Sequence, residues 1–359
     1  MQRLSSLEAL LEDFETSPTA NSVGYFIQVR PRSVASALPN TPESINEDLL
    51  AKNLNEPIYL SDGKPNTPFL MRNADLLFEA GDYSLALAMY SVIAKDGREP
   101  HSLLTRIAKC LEAQGELEKA CQKFEEAITF VPTVESYQHL SAILTRQGKN
   151  EQAAQVLERA LNLKTLNNDL KFEIHKSCGN AWTRATKTSE AENHYNQALA
   201  ISPNSDEIKS NLGTLYLQAG QYGEAKRFFR DAQALNPRNA LAISGLGSCS
   251  LAEGDKLGAL DYFASSLSIE LNNPTGIFYL VKCAFETKSY AKACRILENY
   301  MEIVPINSSL LYSLAGLRFH LGRFDKAKEV LLKILELQPQ HCGANELLEM
   351  VEKYSGTSN

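Results

Sequence analysis

The stretch His101–Val134, HSLLTRIAKCLEAQGELEKACQKFEEAITFVPTV, decides how the rest of this chain is read, because Asp206–Asn239, DEIKSNLGTLYLQAGQYGEAKRFFRDAQALNPRN, repeats its pattern. Ala108, Gly115, Ala120, Phe124, Ala127 and Pro132 of the first stretch stand at the same offsets as Gly213, Gly220, Ala225, Phe229, Ala232 and Pro237 of the second. The period is 34 residues, within the range of stacked helical repeats. The same step finds Gly81, Ala86 and Tyr90 upstream, and Gly148, Ala153, Leu157 and Ala160 between the two stretches. It continues through Gly179, Trp182, Ala191 and Tyr195, then Gly247, Gly254, Ala259 and Phe263, then Tyr290, Ala293 and Leu297, then Ala315, Gly322, Ala327 and Leu331. Eight units result: 67–100, 101–133, 134–171, 172–205, 206–239, 240–273, 274–307 and 308–341. Small residues at unit positions 8 and 20 let two antiparallel helices approach closely. Glycine at position 15 takes the positive φ of a tight helix–helix turn. An aromatic ring or Leu at position 24 fills the space between the helices. Proline at position 32 stops the second helix, and Asn or Asp is then expected to cap the next, as Asn273 could ahead of Pro274.

This pattern resembles the tetratricopeptide repeat (TPR) over residues 67–341. The resemblance implies an all-α fold, a right-handed α-solenoid of helical hairpins in which each unit buries its open face against the next. Residues 342–354 (with GANELLEMVEKY from Gly343) read as one further amphipathic helix that caps the last hairpin, and 355–359 as a frayed tail. Departures from the pattern carry their own expectations. Four extra residues, Asn168–Lys171, precede unit 4, and Thr165 replaces the usual proline. Either the preceding helix runs on and the loop lengthens, or a bend divides the array into three and five units. In unit 7, Lys288 takes the turn glycine's place, and Tyr300 replaces a small residue, which should push units 7 and 8 apart or leave a hydroxyl seeking a partner.

Residues 1–66 form a largely irregular N-terminal arm. Leu7, Leu10, Leu11 and Phe14 share one helical face, and Val23–Val29 alternates as a short strand or extended peptide does. The arm holds five basic and nine acidic residues, so it carries −4 of the chain's net −7. Three readings stand: a flexible leader, an arm that folds back onto the groove of its own superhelix, or a docking peptide for another protein.

Composition excludes several classes. Among 359 residues, 44% are apolar, which excludes wholesale disorder, and no apolar run approaches the eighteen residues of a membrane span. The net negative charge argues against a nucleic-acid partner, whose affinity rests on cationic neutralisation of phosphates. Seven cysteines, odd in number and without a CxxC pair, read as small packed residues in a reducing cytoplasm. Cys110 and Cys121 in unit 2, and Cys283 and Cys294 in unit 7, occupy matching positions, so a redox-sensitive pairing is the competing reading. No phosphate loop or HExxH motif occurs, and Gly245-Leu246-Gly247 lacks a third glycine at dinucleotide spacing. The six histidines fall at six different unit positions, so no metal site repeats along the array. Neither an enzyme nor a cofactor is expected.

What remains is binding. In the TPR family the first helices line a concave groove, and its positions here divide by chemistry. Units 1–5 present Arg72, Asp75, Arg106, Lys109, Arg146, Lys176, Asn180, Arg184 and Asn211; units 6–8 present Leu241, Leu251, Phe278, Tyr279, Phe285, Tyr312 and Phe319. The polar half is expected to set register and the apolar half to anchor a partner's peptide or helix. Lys176, Asn180 and Asn211 match three positions of the carboxylate clamp found in TPR co-chaperones, but Leu241 and Gly245 fill the other two, so a two-carboxylate clamp is not expected. The asparagine ladder of sugar-transferring TPR enzymes is also missing, with only Asn211 in place. The resemblance thus implies a non-catalytic cytoplasmic scaffold or adaptor for protein or peptide partners. The alternative is a client-specific chaperone for secretion, pilus or flagellar assembly, or a subunit of a motility or polarity complex.

Overall fold

The computed structural model describes residues 60–94, 101–305 and 307–355. The amphipathic 5–15 segment and the strand-like Val23–Val29 lie outside them. Among the described residues there are seventeen helices and no strand. They pair as hairpins: α1 (Thr67–Glu79) with α2 (Tyr83–Ala94), α3 (His101–Ala113) with α4 (Leu117–Phe130), α5 (Val134–Arg146) with α6 (Asn150–Ala160), and α7 (Asn168–Arg184) with α8 (Thr188–Ile201). Four more follow: α9 (Asp206–Gln218) with α10 (Tyr222–Leu235), α11 (Ala240–Ala252) with α12 (Lys256–Ile269), α13 (Pro274–Thr287) with α14 (Tyr290–Met301), and α15 (Ser308–His320) with α16 (Phe324–Leu337). A single helix, α17 (Cys342–Ser355), closes the series. The chain divides into two compact units between Ile201 and Ser202, so α1–α8 form one and α9–α17 the other.

The local chemistry of the repeat explains the helix ends. Asn66, Thr133, Asn167, Ser205, Asn239, Asn273 and Asn307 each stand just before a first helix and accept a hydrogen bond from a backbone N–H three residues on. Six turn glycines hold φ between +70° and +85°. In the fourth and seventh hairpins the same slot is filled by Thr186 and Lys288, both at φ +59°. Inside every hairpin an alanine at position 20, from Ala86 to Ala327, is fully buried. The rings of Tyr90, Phe124, Tyr195, Phe229 and Phe263 pack beside it. The approach is close enough to require glycine on the facing helix: a Cβ on Gly213 would stand 2.7 Å from the Phe229 ring, and one on Gly245 2.3 Å.

The insertion before unit 4 gives a longer link and a longer next helix: α6 stops at Ala160 and does not run on, 161–167 are non-helical, and Asn168–Lys171 become the first turn of α7, capped by Asn167. The division between compact units falls after the fourth hairpin, so there is no three-and-five partition. Tyr300 is buried in the core of the second unit. Helix α17 lays Ala344, Leu347 and Val351 on the last hairpin, with Glu346, Glu349 and Glu352 turned outward or half-buried at the rim.

Candidate partner-binding surfaces

In the first unit, α1, α2, α3 and the start of α5 line a half-open cavity of about 360 Å³. Its walls include Asp75 and Phe78 from α1, Tyr90 from α2, Arg106 and Lys109 from α3, and Glu135 from α5. The polar groups there are already engaged with one another. Arg106 Nε donates to Asp75 Oδ1 at 2.7 Å and Nη2 to Oδ2 at 3.2 Å, and the Tyr90 hydroxyl donates to the same carboxylate. Burial and this bond together push the Tyr90 phenol well above its ordinary range. Burial opposes the Arg106 charge, but the bonded Asp75 outweighs it and raises the guanidinium further. Lys109 pairs with Glu135, holding that carboxyl below its usual value. Each cation of the cavity is thus neutralised from the neighbouring hairpin, which leaves a polar lining without a strong field of either sign.

The remaining polar residues of this face are similarly tied down. Arg146 lies 3.7 Å from Glu112, which also bonds His139 at 3.0 Å. Lys176 reaches Glu173 at 2.8 Å and sits 5.7 Å over the Phe172 ring. The Asn180 side chain accepts from Tyr195 at 2.8 Å, and the Arg184 carbonyl accepts from Asn150. Asn211, on α9 of the second unit, is only 4% exposed. Of the residues matching the carboxylate clamp, Asn180 is held by the core tyrosine and Asn211 is buried.

In the second unit, the seven apolar residues singled out by the sequence separate into two kinds. Phe285 and Tyr312 are 5% and 3% exposed and belong to the core. The reason is a contact invisible to the unit register of a first helix alone. Phe285, at position 12, meets Tyr290 at position 17 of its own hairpin, with ring centroids 5.8 Å apart. The same cross-turn pair recurs as Phe78–Tyr83 at 5.2 Å and Phe319–Phe324 at 5.7 Å. Tyr312 is covered by the cap, with His341 5.2 Å away and Gly343 leaving room for its hydroxyl. The other five, Leu241, Leu251, Phe278, Tyr279 and Phe319, are half-buried. Tyr279 stacks on Phe263 at 5.3 Å, and Phe278 meets Tyr279 edge-on at 5.1 Å with the Lys282 ammonium 5.9 Å away. The sequence reading missed Tyr290, His320, Phe324 and Tyr354, which join Phe319 in a continuous set of ring contacts. The recurrence of Tyr290 and Phe324 at position 17 was the available signal.

The cysteines are all free thiols, and five of the seven are buried. Burial raises Cys110 and Cys283 to about 11, and pushes Cys121 and Cys294 upward as well, so these thiols stay protonated and unreactive near neutrality. Among the described residues no group of three or more His, Cys, Asp or Glu side chains is placed to hold a metal ion, and no helix is long and apolar enough to cross a membrane.

Three family models, each described as a tetratricopeptide repeat, match residues 71–135, 133–168, and 184–249 with 284–345. The chain belongs to the TPR family. Membership accounts for the hairpins and fixes function at the level of a protein-interaction scaffold, since TPR arrays carry sites grafted onto a common frame. Yeast Tom70 shares the fold with a TM-score of 0.50 at 16% identity, over 77% of this chain and 59% of that one. Pseudomonas aeruginosa PilF aligns with a TM-score of 0.46 at 21% identity, over 60% of this chain and 97% of that one. A TPR protein from Parabacteroides merdae gives 0.44 at 19% identity, over 70% and 98%. No protein of curated function matches the TPR chain in sequence.

Proposed function

We propose that this TPR protein is a non-catalytic adaptor that takes an apolar peptide or amphipathic helix of a partner protein on the first helices of its second unit. The observation that carries the reading is the Phe278–Tyr279 pair with Lys282. Two adjacent rings stay half-exposed on α13, while Phe285 on the same helix is spent on the cross-turn contact with Tyr290. Half-exposed rings on a first helix are the residue types that dominate interface energy, and they suit an apolar segment of a partner. The self-neutralised cavity of the first unit offers a second, polar contact, suited to uncharged side chains more than to a carboxylate. Free, protonated thiols fit a reducing compartment, and we place the protein in the cytoplasm.

The test compares two variants of the full chain as baits in native lysate. Phe278→Ala with Tyr279→Ala should abolish capture of the main partner while helicity and melting change little. Phe285→Ala should lower melting first. Capture that survives the Phe278/Tyr279 double variant would place the partner elsewhere.

A further inference from the structure

The ring pair across the turn, at positions 12 and 17, stands alone in hairpin 1, where among the described residues Phe78 meets Tyr83 and no third ring. Hairpins 7 and 8 carry more than this. His320 lies flat on Tyr290, with centroids 4.6 Å and planes 9° apart, and Tyr354 of α17 stacks on Phe324 at 6.4 Å. His320 also meets Phe285 at 5.7 Å and Phe319 at 5.4 Å, so the two pairs join into one row of rings drawn from α13 to α17. The two added rings are the open ones. His320 is exposed and Tyr354 is 43% exposed, whereas Phe285 is buried. The turns do not need these rings, and an apolar surface left at a rim marks a contact. The charges beside the row are equally unspent. Lys288 follows Phe285 by three residues, Arg323 precedes Phe324, and Lys353 precedes Tyr354. All three are exposed, and none forms an ion pair with another described residue. The neighbouring carboxylates are mostly taken: Glu286 by Lys256 at 3.0 Å, Glu298 by Arg318 at 2.9 Å and Glu352 by Lys328 at 2.7 Å. Asp325, beside Phe324, and Glu349, a turn before Lys353, are left to oppose the three cations. Lys288 is the most telling of them. It holds φ +59° in a slot that glycine fills in six hairpins, so the chain keeps a strained residue whose ammonium bonds nothing else among the described residues.

We propose that the turn edge of hairpins 7 and 8, with the end of α17, is a second docking surface, which takes an acidic segment of a partner protein carrying Leu or Phe among Asp and Glu. The rings give an apolar side chain a shelf to lie across. Lys288, Arg323 and Lys353 then pair with the carboxylates that flank it, and pairs formed beside an apolar contact are less screened than pairs in open water. A basic segment is repelled by the same three cations, and a neutral one leaves them unpaired, so charge selects the partner's chemistry. The surface is separate from the Phe278–Tyr279 site, because Phe278 stands near the start of α13 and Phe285 and Lys288 at its end. The two sites can therefore be lost one at a time.

Fluorescence anisotropy on the full chain tests this, the probe being a short, end-blocked, fluorescein-labelled peptide in which Leu and Phe are set among Glu. It should bind at least about tenfold more tightly than the same peptide with Gln for Glu, and the difference should shrink as salt rises. Arg323→Gln should weaken it about two- to fivefold, the effect of one exposed charge pair. Lys288→Gly separates binding from structure, since it should weaken the peptide to the same extent while raising the melting temperature. His320→Ala with Tyr354→Ser should weaken binding at least about tenfold. If that variant fails to fold, the two charge variants keep the test open. Phe278→Ala with Tyr279→Ala should leave the affinity unchanged. Equal affinity for the Gln peptide, indifference to both charge variants, or loss of binding in the Phe278/Tyr279 variant would overturn the proposal. So would binding of phosphatidylserine vesicles or of a single-stranded oligonucleotide in place of the peptide, which would assign the edge to a membrane or a nucleic acid.

Discussion

Thr186 and Lys288 should each be improvable by replacement with glycine, and Thr186→Gly is the sharper case. Thr186 sits at φ +59° in a turn otherwise built like its glycine counterparts. Its N–H donates to the Thr183 carbonyl at 3.0 Å and the Lys187 N–H to the Trp182 carbonyl at 3.0 Å, matching Gly220 to Leu217 at 3.1 Å and Gln221 to Tyr216 at 2.8 Å. The substitution therefore changes no backbone bond. Left-handed backbone costs an L-residue about 1–2 kcal/mol, and a β-branched one sits toward the upper end. Glycine gives back about 0.4–1 kcal/mol through the greater freedom of the unfolded chain. The Thr186 hydroxyl bond to the Ala185 carbonyl, 2.7 Å and exposed, is replaced by water at little loss. The net expectation is a gain of about 0.5–1 kcal/mol, or roughly 1–4 °C in melting for a unit of this size. Gly220→Ala is the mirror experiment: no atom lies within 4 Å of the added Cβ, so only the backbone term acts, and a loss of about 1 kcal/mol is expected. Urea unfolding with an unchanged slope is the assay, with amide exchange in α7 and α8 locating the change. Destabilisation by Thr186→Gly together with a neutral Gly220→Ala would refute the reasoning.

Further outcomes follow from the packing and the charges. Gly245→Ala should cost about 1–3 kcal/mol by thermal melting, because its Cβ would stand 2.3 Å from the Phe229 ring, which is itself almost fully buried. Asp75→Asn should lower stability by about 1–3 kcal/mol in the same measurement, since it strips Arg106 of its counter-charge beside a Tyr90 hydroxyl bonded to the same group. The His175–His194 contact predicts a pH dependence. Their Nδ1 atoms lie 3.1 Å apart, and His194 Nε2 meets Glu158 Oε1 at 3.1 Å, so the two rings are hydrogen-bonded in line with a carboxylate. Burial, then the His194 and Lys171 charges, depress the His175 value, so the unfolded chain binds the proton more readily than the folded one. The stability this contributes is complete above the ordinary histidine range of about 6.5 and is lost as pH falls through it; melting from pH 8 to 5 should show the loss, and His175→Gln should flatten it.

Most of the fold was legible because the repeat writes each structural need eight times. A small residue at position 20 and a glycine at position 15 are local requirements, and the second is so strict that even Thr186 and Lys288 obey its geometry without being glycine. The insertion before unit 4 was harder. Thr165 and Asn168–Lys171 are compatible with a longer loop or a longer helix, and the boundary between the two is set by the Asn167 side chain, which accepts from the Leu170 N–H at 2.8 Å and starts α7 one turn early. The division after Ile201 has no counterpart in the repeat pattern, because Ser202, Pro203 and Asn204 read as an ordinary link between units.

The candidate site was legible only in part, and the failure is instructive about how groove positions should be read. Phe278, Phe285 and Phe319 all fall at positions that face a groove in the family register, yet they differ in what lies across the hairpin. Phe285 and Phe319 stand at position 12 and meet Tyr290 and Phe324 at position 17. Phe278 stands at position 5, close to the start of α13, far from the turn, and its ring meets Tyr279 beside it. An aromatic at position 12 is therefore first a turn staple whenever position 17 is also aromatic, and the sequence states both. Hairpin 1 obeys the same rule through Phe78 and Tyr83. Where position 17 is polar, as with Thr188 in hairpin 4 and Lys256 in hairpin 6, position 12 holds Thr183 and Leu251 instead. Leu251, lacking an aromatic partner across the turn, is the position-12 side chain in the second unit with the best claim to be spent on a ligand. Leu251→Ala should then weaken partner capture while costing less stability than Phe285→Ala, whose loss opens a cavity worth about 3–5 kcal/mol. Equal losses of stability, with capture unchanged by Leu251→Ala, would mean that position 12 serves the turn in every hairpin and that the partner reads only Phe278 and Tyr279.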